Sequence, residues 1–268
     1  MNRPFLRRVR ATLLLCFFTA ALAPLAAAED CPVPTGFINK TTTIDGVTRR
    51  HVVYVPHDYD ASKPWPLVMF LHGAGERGDD GLLQTEVGLP EAIRRHPERF
   101  PAIVVIPQCP AEKFWDSILP ELDAVLAEAQ ASYTIDEKRI YLTGLSMGGY
   151  GCWTWGADRL DRFAAILPVC GGGVPEDMNR ICKEPIDVSK FRPLKERVPA
   201  LATVPVWAFH GKKDMTVPPF RSKQMVRMLE RAGGKPKYTE YEDEGHDVWN
   251  VVYDDEQVIR WMFEQRKP

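Results

Sequence analysis

Tyr141-Leu142-Thr143-Gly144-Leu145-Ser146-Met147-Gly148-Gly149 reads as a β-strand that turns through Gly-x-Ser-x-Gly into a helix. A serine hydroxyl is a poor nucleophile until it is lifted clear of its own chain and given a base. A strained strand-to-helix turn does the lifting, and small residues at 144 and 148 let neighbouring backbone pass close by. The helix that follows offers free backbone N–H groups where negative charge develops. On its own the pentapeptide is only suggestive. Its setting strengthens it, because residues 139–142 are a short β-rich run and residues 150–160 continue as a helix.

Two further pieces lie downstream in the order that this arrangement requires. Val204-Pro205-Val206-Trp207-Ala208-Phe209-His210-Gly211 is an apolar run ending in glycine, and Asp214 follows just past it. Loops at the carboxyl ends of strands are where open α/β sheets carry their chemistry. Tyr238-Thr239-Glu240-Tyr241 is another short strand, with His246 on the glycine-containing loop beyond it. Ser, then Asp, then His is the α/β-hydrolase chain order, distinct from those of the two large serine protease groups. Upstream, residues 65–71 form a strand followed by His72-Gly73-Ala74-Gly75-Glu76-Arg77-Gly78. A tetrahedral intermediate needs two N–H donors. One is expected from Met147, after the nucleophile, and the second from Ala74 in this early turn.

These motifs resemble the phospholipase/carboxylesterase group of the dienelactone-hydrolase-like α/β-hydrolases. The resemblance rests on the 71–78 run, Pro107-Gln108-Cys109-Pro110, residues 139–149, Pro168-Val169-Cys170-Gly171-Gly172-Gly173, the 209–214 run and Gly245-His246-Asp247-Val248-Trp249. It covers about residues 43–263. It implies a serine carboxylesterase with an α/β-hydrolase fold, a mostly parallel sheet with helices on both faces, and no large cap domain. Two departures stand out. Dienelactone hydrolases proper use a cysteine nucleophile where this chain has Ser146, and residues 174–203 form a longer link than usual.

Residues 1–28 are expected to be a signal peptide. Arg3, Arg7, Arg8 and Arg10 precede an apolar stretch, and Ala26-Ala27-Ala28 offers a small-residue cleavage site. That stretch is short for a membrane span, and no lipoprotein cysteine stands at the cleavage site. A secreted or periplasmic location without a stable membrane anchor is therefore expected. Residues 29–268 suit a single catalytic domain with no room for a propeller. Removing four arginines and no acids takes the formal charge from −2 to −6, which argues against nucleic acid as a partner. The expected substrate is a small-molecule ester or an esterified polysaccharide.

Strands are expected near 51–55, 66–71, 102–106, 139–142, 164–169, 204–209 and 237–241, alternating with helices near 119–132, 147–157, 220–232 and 256–265. Cys31, Cys109, Cys152, Cys170 and Cys182 survive processing, an odd number. A bridge from Cys182 to Cys170 or Cys31 would pin the 174–203 excursion, and Cys152 reads as a packed free thiol. His72 and His210 are expected to orient loops by hydrogen bonding. His51, His57 and His96 read as surface or strand-edge residues. Asp247, beside His246, is the rival acid to Asp214, but adjacent loop residues usually point apart. Glu76 and Arg77 either brace the oxyanion turn or are solvated. Trp115 and Trp249 lie on loops at the active face, where an aromatic wall for the substrate and core filling both fit. No cluster has metal-ligand spacing, so neither metal nor cofactor is expected. The serine esterase reading has two rivals: a serine peptidase of the prolyl-oligopeptidase type, and a non-catalytic hydrolase-fold binding protein.

Overall fold

A computed structural model describes residues 33–173 and 194–268. The signal-peptide reading of residues 1–28, Cys31, Cys182 and most of the 174–203 excursion lie outside the described residues. The described strands form one sheet. They are β1 (Gly36–Ile44), β2 (Val47–Val55), β3 (Trp65–Leu71), β4 (Ile103–Pro107), β5 (Ile135–Leu145), β6 (Ala165–Val169), β7 (Trp207–Gly211) and β8 (Lys237–Tyr241). Their order is β1-β2-β4-β3-β5-β6-β7-β8. From β4 to β8 every pairing is parallel, while β1 and β2 add an antiparallel ribbon at one edge.

The apolar runs explain this sheet. β3 after its first residue, and β4 and β6 throughout, are buried, as expected of parallel strands covered on both faces. Side chains alternate between the two cores. Leu67, Met69 and Leu71 join one face with Leu122, Val125 and Leu126 of α2 (Leu119–Ser132). Val68 and Phe70 join the other with Leu89, Ala92 and Ile93 of α1 (Leu89–Arg95). α3 (Met147–Asp158) and, after the short α4 (Leu194–Arg197), α5 (Phe220–Arg231) cover the first face. α6 (Trp249–Asp254) and α7 (Glu256–Glu264) cover the second. This is the α/β-hydrolase fold. No helix among the described residues is long and apolar enough to cross a membrane.

β1 was not among the expected strands, and its presence changes the reading of His51. A two-residue turn joins β1 to β2, with Asp45 at φ 50° and Gly46 at φ 79°. That backbone twist suits a tight hairpin. β2 is consequently an interior strand, paired with β1 on one side and β4 on the other. His51 is therefore buried, not a surface or edge residue, and burial lowers its pKa. His57 is exposed and His96 half-buried, as expected of surface positions.

Every loop singled out by sequence leaves the sheet at the same edge. His72, Gln108, Ser146 and Cys170 each directly follow the carboxyl end of a strand, and Asp214 and His246 lie a few residues beyond theirs.

Candidate active site

β5 ends at Leu145 and α3 begins at Met147, so Ser146 alone makes the turn. Its φ of 52° and ψ of −115° are sterically strained for a residue with a Cβ. The surroundings hold it there. Ser146 N–H donates to Val169 O at 2.9 Å and lies 3.3 Å from Cys170 Sγ. The backbone crossing is so tight that a Cβ on Gly148 would stand 1.9 Å from Leu71 O. Glycine at 148 is thus a steric requirement of the elbow.

Two more loops bring an imidazole and a carboxylate to this hydroxyl. His246 Nε2 lies 3.0 Å from Ser146 Oγ, and His246 Nδ1 lies 2.7 Å from Asp214 Oδ2. The carboxylate accepts only, so Nδ1 carries the proton and Nε2 presents its lone pair to the serine hydroxyl. Asp214 Oδ1 accepts the N–H groups of Thr216 and Val217 at 2.8 and 2.9 Å. Burial pushes the Asp214 pKa up, but hydrogen bonds from His210, His246 and the Val217 N–H outweigh it and hold the carboxyl well below the usual range. The Asp and His loops also cross closely, since a Cβ on Gly211 would meet Gly245 O at 2.1 Å. Asp247 is exposed, and its backbone carbonyl accepts the Asn250 N–H at the start of α6.

The turn after β3 is stitched to the loop after β4. His72 Nδ1–H donates to Gly73 O at 2.6 Å, and its Nε2 accepts the Cys109 N–H at 2.9 Å. Those partners specify one neutral tautomer. Gln108 accepts the Gly81 N–H at 2.7 Å and donates to Glu76 O and Asp80 Oδ1 at 3.2 and 3.0 Å. Glu76 and Arg77 brace the turn separately. The Glu76 side chain accepts from the Gly73 backbone, whereas Arg77 Nε donates to Ala74 O at 3.2 Å and its guanidinium lies over the Phe114 ring. The turn passes Ser146 so closely that a Cβ on Gly73 would lie 3.7 Å from Ser146 Cβ. Ala74 follows, half-buried. Met147 opens α3 on the other side, and an N–H in a first helical turn has no intrahelical carbonyl.

Trp115 departs from the aromatic-wall expectation. It is buried in the core, its ring centroid is 4.8 Å from that of His72, and its Nε1–H donates to His72 O at 3.0 Å. It supports the turn from beneath and cannot face a substrate. Trp249 is half-buried and meets His246 edge-on, with centroids 5.4 Å apart. The expected bridge to Cys170 is not formed: Cys170 is a buried free thiol beneath Ser146, and Cys152 is likewise a buried free thiol, while Cys109 is buried. Burial pushes the Cys152 and Cys170 thiols far up, which keeps them from being thiolate nucleophiles. Among the described residues, no group of three or more His, Cys, Asp or Glu side chains is placed to hold a metal.

His72 gives the site a testable pH dependence. Burial lowers its pKa from 6.5 to about 4. Between those values the unfolded chain binds a proton that the folded chain refuses. This contribution to stability is complete above pH 6.5 and is lost as pH falls towards 4. Asp116, lifted to about 6 by burial, acts in the opposite direction, so the comparison needs a variant. In urea titrations between pH 7.5 and 4.5, the wild type should lose up to about 3 kcal/mol more than His72→Gln. Parallel pH profiles for the two proteins would remove His72 as the cause.

The chain is similar to known proteins in sequence and in fold. A solved structure described as a thermostable esterase superposes with a TM-score of 0.72 at 34% identity, covering 86% of this chain and 63% of its own. Endo-1,4-beta-xylanase Y of Acetivibrio thermocellus is 27% identical over 188 residues, 62% of this chain and 17% of the xylanase. A probable feruloyl esterase C of Aspergillus niger is 25% identical over 132 residues, 46% of this chain and 47% of the esterase. The chain thus spans less than two thirds of the length of each. The model of the prolyl oligopeptidase family matches residues 118–267, which is more than half of the chain. Ser146, Asp214 and His246 all fall inside that span, and the chain belongs to the prolyl oligopeptidase family.

Proposed function

We propose that the chain is a serine hydrolase of carboxylic esters, working through an acyl-enzyme formed on Ser146. The observation that carries this reading is the hydrogen-bonded line from Ser146 Oγ through His246 to Asp214, at 3.0 and 2.7 Å, mounted on a strained elbow. His246 Nε2 takes the serine proton as Oγ attacks the ester carbonyl. The N–H groups of Met147 and Ala74 receive the oxyanion, and Asp214 stabilises the imidazolium. Collapse of the tetrahedral intermediate expels the alcohol, which takes its proton from His246. Water, deprotonated by the same imidazole, then releases the acid.

Similarity to an esterase at 34% identity, and to a feruloyl esterase, supports ester over amide chemistry. Short acyl or aryl esters suit a site where Trp249 stands edge-on to His246 and offers an aromatic flank. Family membership favours peptide hydrolysis as the second reading, since the same acyl-enzyme serves both. One kinetic panel separates them: C2 to C12 p-nitrophenyl esters, methyl ferulate, acetylated xylan, emulsified triglyceride and a peptide anilide. Hydrolysis should favour short acyl or aryl esters, with shallow discrimination among neighbours, because one methylene in an apolar pocket is worth only about 1–3 kcal/mol. A preference for C10 or longer, or for emulsion, points to a lipase. Faster turnover of the anilide than of any ester overturns the esterase reading.

A further inference from the structure

We propose that His210 is a positioning residue for this reaction, a second imidazole on Asp214 that fixes the carboxylate and draws charge from the oxygen that His246 uses. The inference rests on the ester-hydrolase reading of Ser146, His246 and Asp214. His210 is the penultimate residue of β7 and is fully buried, as is its neighbour Ser222 on α5. Its Nε2 faces two acceptors, Val217 O at 2.8 Å and Asp214 Oδ2 at 3.1 Å. Neither can donate, so Nε2 carries a proton shared between them. Its Nδ1 lies 2.7 Å from Ser222 Oγ, which in turn lies 3.0 Å from Gly171 O. His210 is thereby fixed at both ring nitrogens, and a line of contacts runs from the end of β6 through Ser222 and His210 to Asp214 and His246.

Two consequences follow. The first is geometric: Asp214 sits on a loop, and His210 ties both ends of that loop, at Asp214 and at Val217, to a sheet strand. The second is electrostatic. An N–H pointed at Oδ2 stabilises negative charge there and weakens the hold of that oxygen on protonated His246. Other groups face this pair from each neighbouring element. They are Ser146 on the elbow, reached through His246, Cys170 after β6, and Ser222 on α5. Lys212 and Lys213 of the Asp loop are already paired with Glu242 and Asp243. Besides His246, His210 is therefore the side-chain donor on the carboxylate that a substitution can remove.

Asparagine and glutamine separate the two ring positions. A glutamine amide reaches the place of Nε2 and can still donate to Asp214, whereas an asparagine amide reaches only the place of Nδ1. With a short-chain p-nitrophenyl ester, His210→Asn is expected to lower kcat by about 10-fold or more with little change in KM. Its acidic limb in the kcat–pH profile should rise by roughly 0.5 pH unit, because the carboxylate left without this donor holds protonated His246 more firmly. His210→Gln should restore most of kcat and the original limb. A merely structural role would loosen the loop, leave the limb in place or lower it, and lower thermal stability and activity together in both variants; that result overturns the proposal. So does wild-type behaviour of His210→Asn. If the Asn variant does not accumulate, Ser222→Ala provides the reading: a several-fold fall in kcat at constant KM supports the proposal, and an unchanged kcat overturns it. Failure of the ester-hydrolase reading is a separate outcome, visible as a wild-type protein that hydrolyses none of the esters.

Discussion

Ser146→Ala is expected to lower turnover of short p-nitrophenyl esters by on the order of 10⁵–10⁶-fold, leaving the residual rate that an oxyanion hole and binding supply. An organophosphonate that labels the wild type once should leave the variant unlabelled. The substitution is a clean test because it removes only the hydroxyl. The backbone N–H of residue 146 keeps its bond to Val169 O, and alanine suffers the same strain at φ 52° as serine does. Circular dichroism and melting should therefore match the wild type. Ser146→Gly provides a second measurement on the same elbow. Glycine tolerates positive φ, so this variant should be about 1 kcal/mol or more stabler than Ser146→Ala while equally inactive. Near-wild-type hydrolysis by Ser146→Ala would end the assignment of the nucleophile.

The three strand-end loops were legible because each carries its own local signal. A β-rich run followed by glycine and a polar residue marks an exit from the sheet, whatever packs around it. The Ser146, Asp214 and His246 loops are such cases, and α2 ran from Leu119 to Ser132 as its apolar spacing indicated. β1 was harder, because an edge strand with the polar sequence Asn39-Lys40-Thr41-Thr42-Thr43 lacks an apolar run. Its signal was the Asp45-Gly46 turn between Ile44 and Val47, a strong hairpin dipeptide. With β1 in place, β2 is an interior strand and His51 is buried between its neighbours.

Other features depend on which way a side chain turns, and sequence position does not settle that. Trp115 and Trp249 both lie at the active edge, yet a turn of 3-10 helix tucks Trp115 beneath His72 while Trp249 faces His246. Cys170 follows a strand as a reactive residue would, but its φ of 41° accompanies a thiol directed at the Ser146 N–H. His210 precedes glycine just as His72 does. Only the folded chain brings its Nε2 to the carboxylate that His246 also uses.

Asp214→Asn is expected to cut kcat by between about 10² and 10⁴-fold with a small effect on KM, while Asp247→Asn stays within a few-fold of wild type. The fixed geometry of the Asp214 loop gives the reason. Oδ1 accepts two backbone N–H groups, from Thr216 and Val217. An asparagine must keep its carbonyl oxygen there, since its NH₂ group would meet two donors. The NH₂ then occupies the place of Oδ2 and faces the ring nitrogens of His246 and His210. For His246 the effect is inversion: Nδ1 must become the acceptor, the proton moves to Nε2, and no lone pair faces Ser146 Oγ. For His210 the effect is a buried donor facing a donor, which costs about 1–3 kcal/mol of stability. Asp214→Asn should therefore melt lower than the wild type as well as turn over more slowly, whereas exposed Asp247→Asn should do neither. Deprotonating the weakened His246 by raising the pH cannot restore the rate, because the fault is the tautomer and not the charge. A variant that recovers wild-type kcat at pH 9, or a larger loss in Asp247→Asn than in Asp214→Asn, would move the acid away from Asp214.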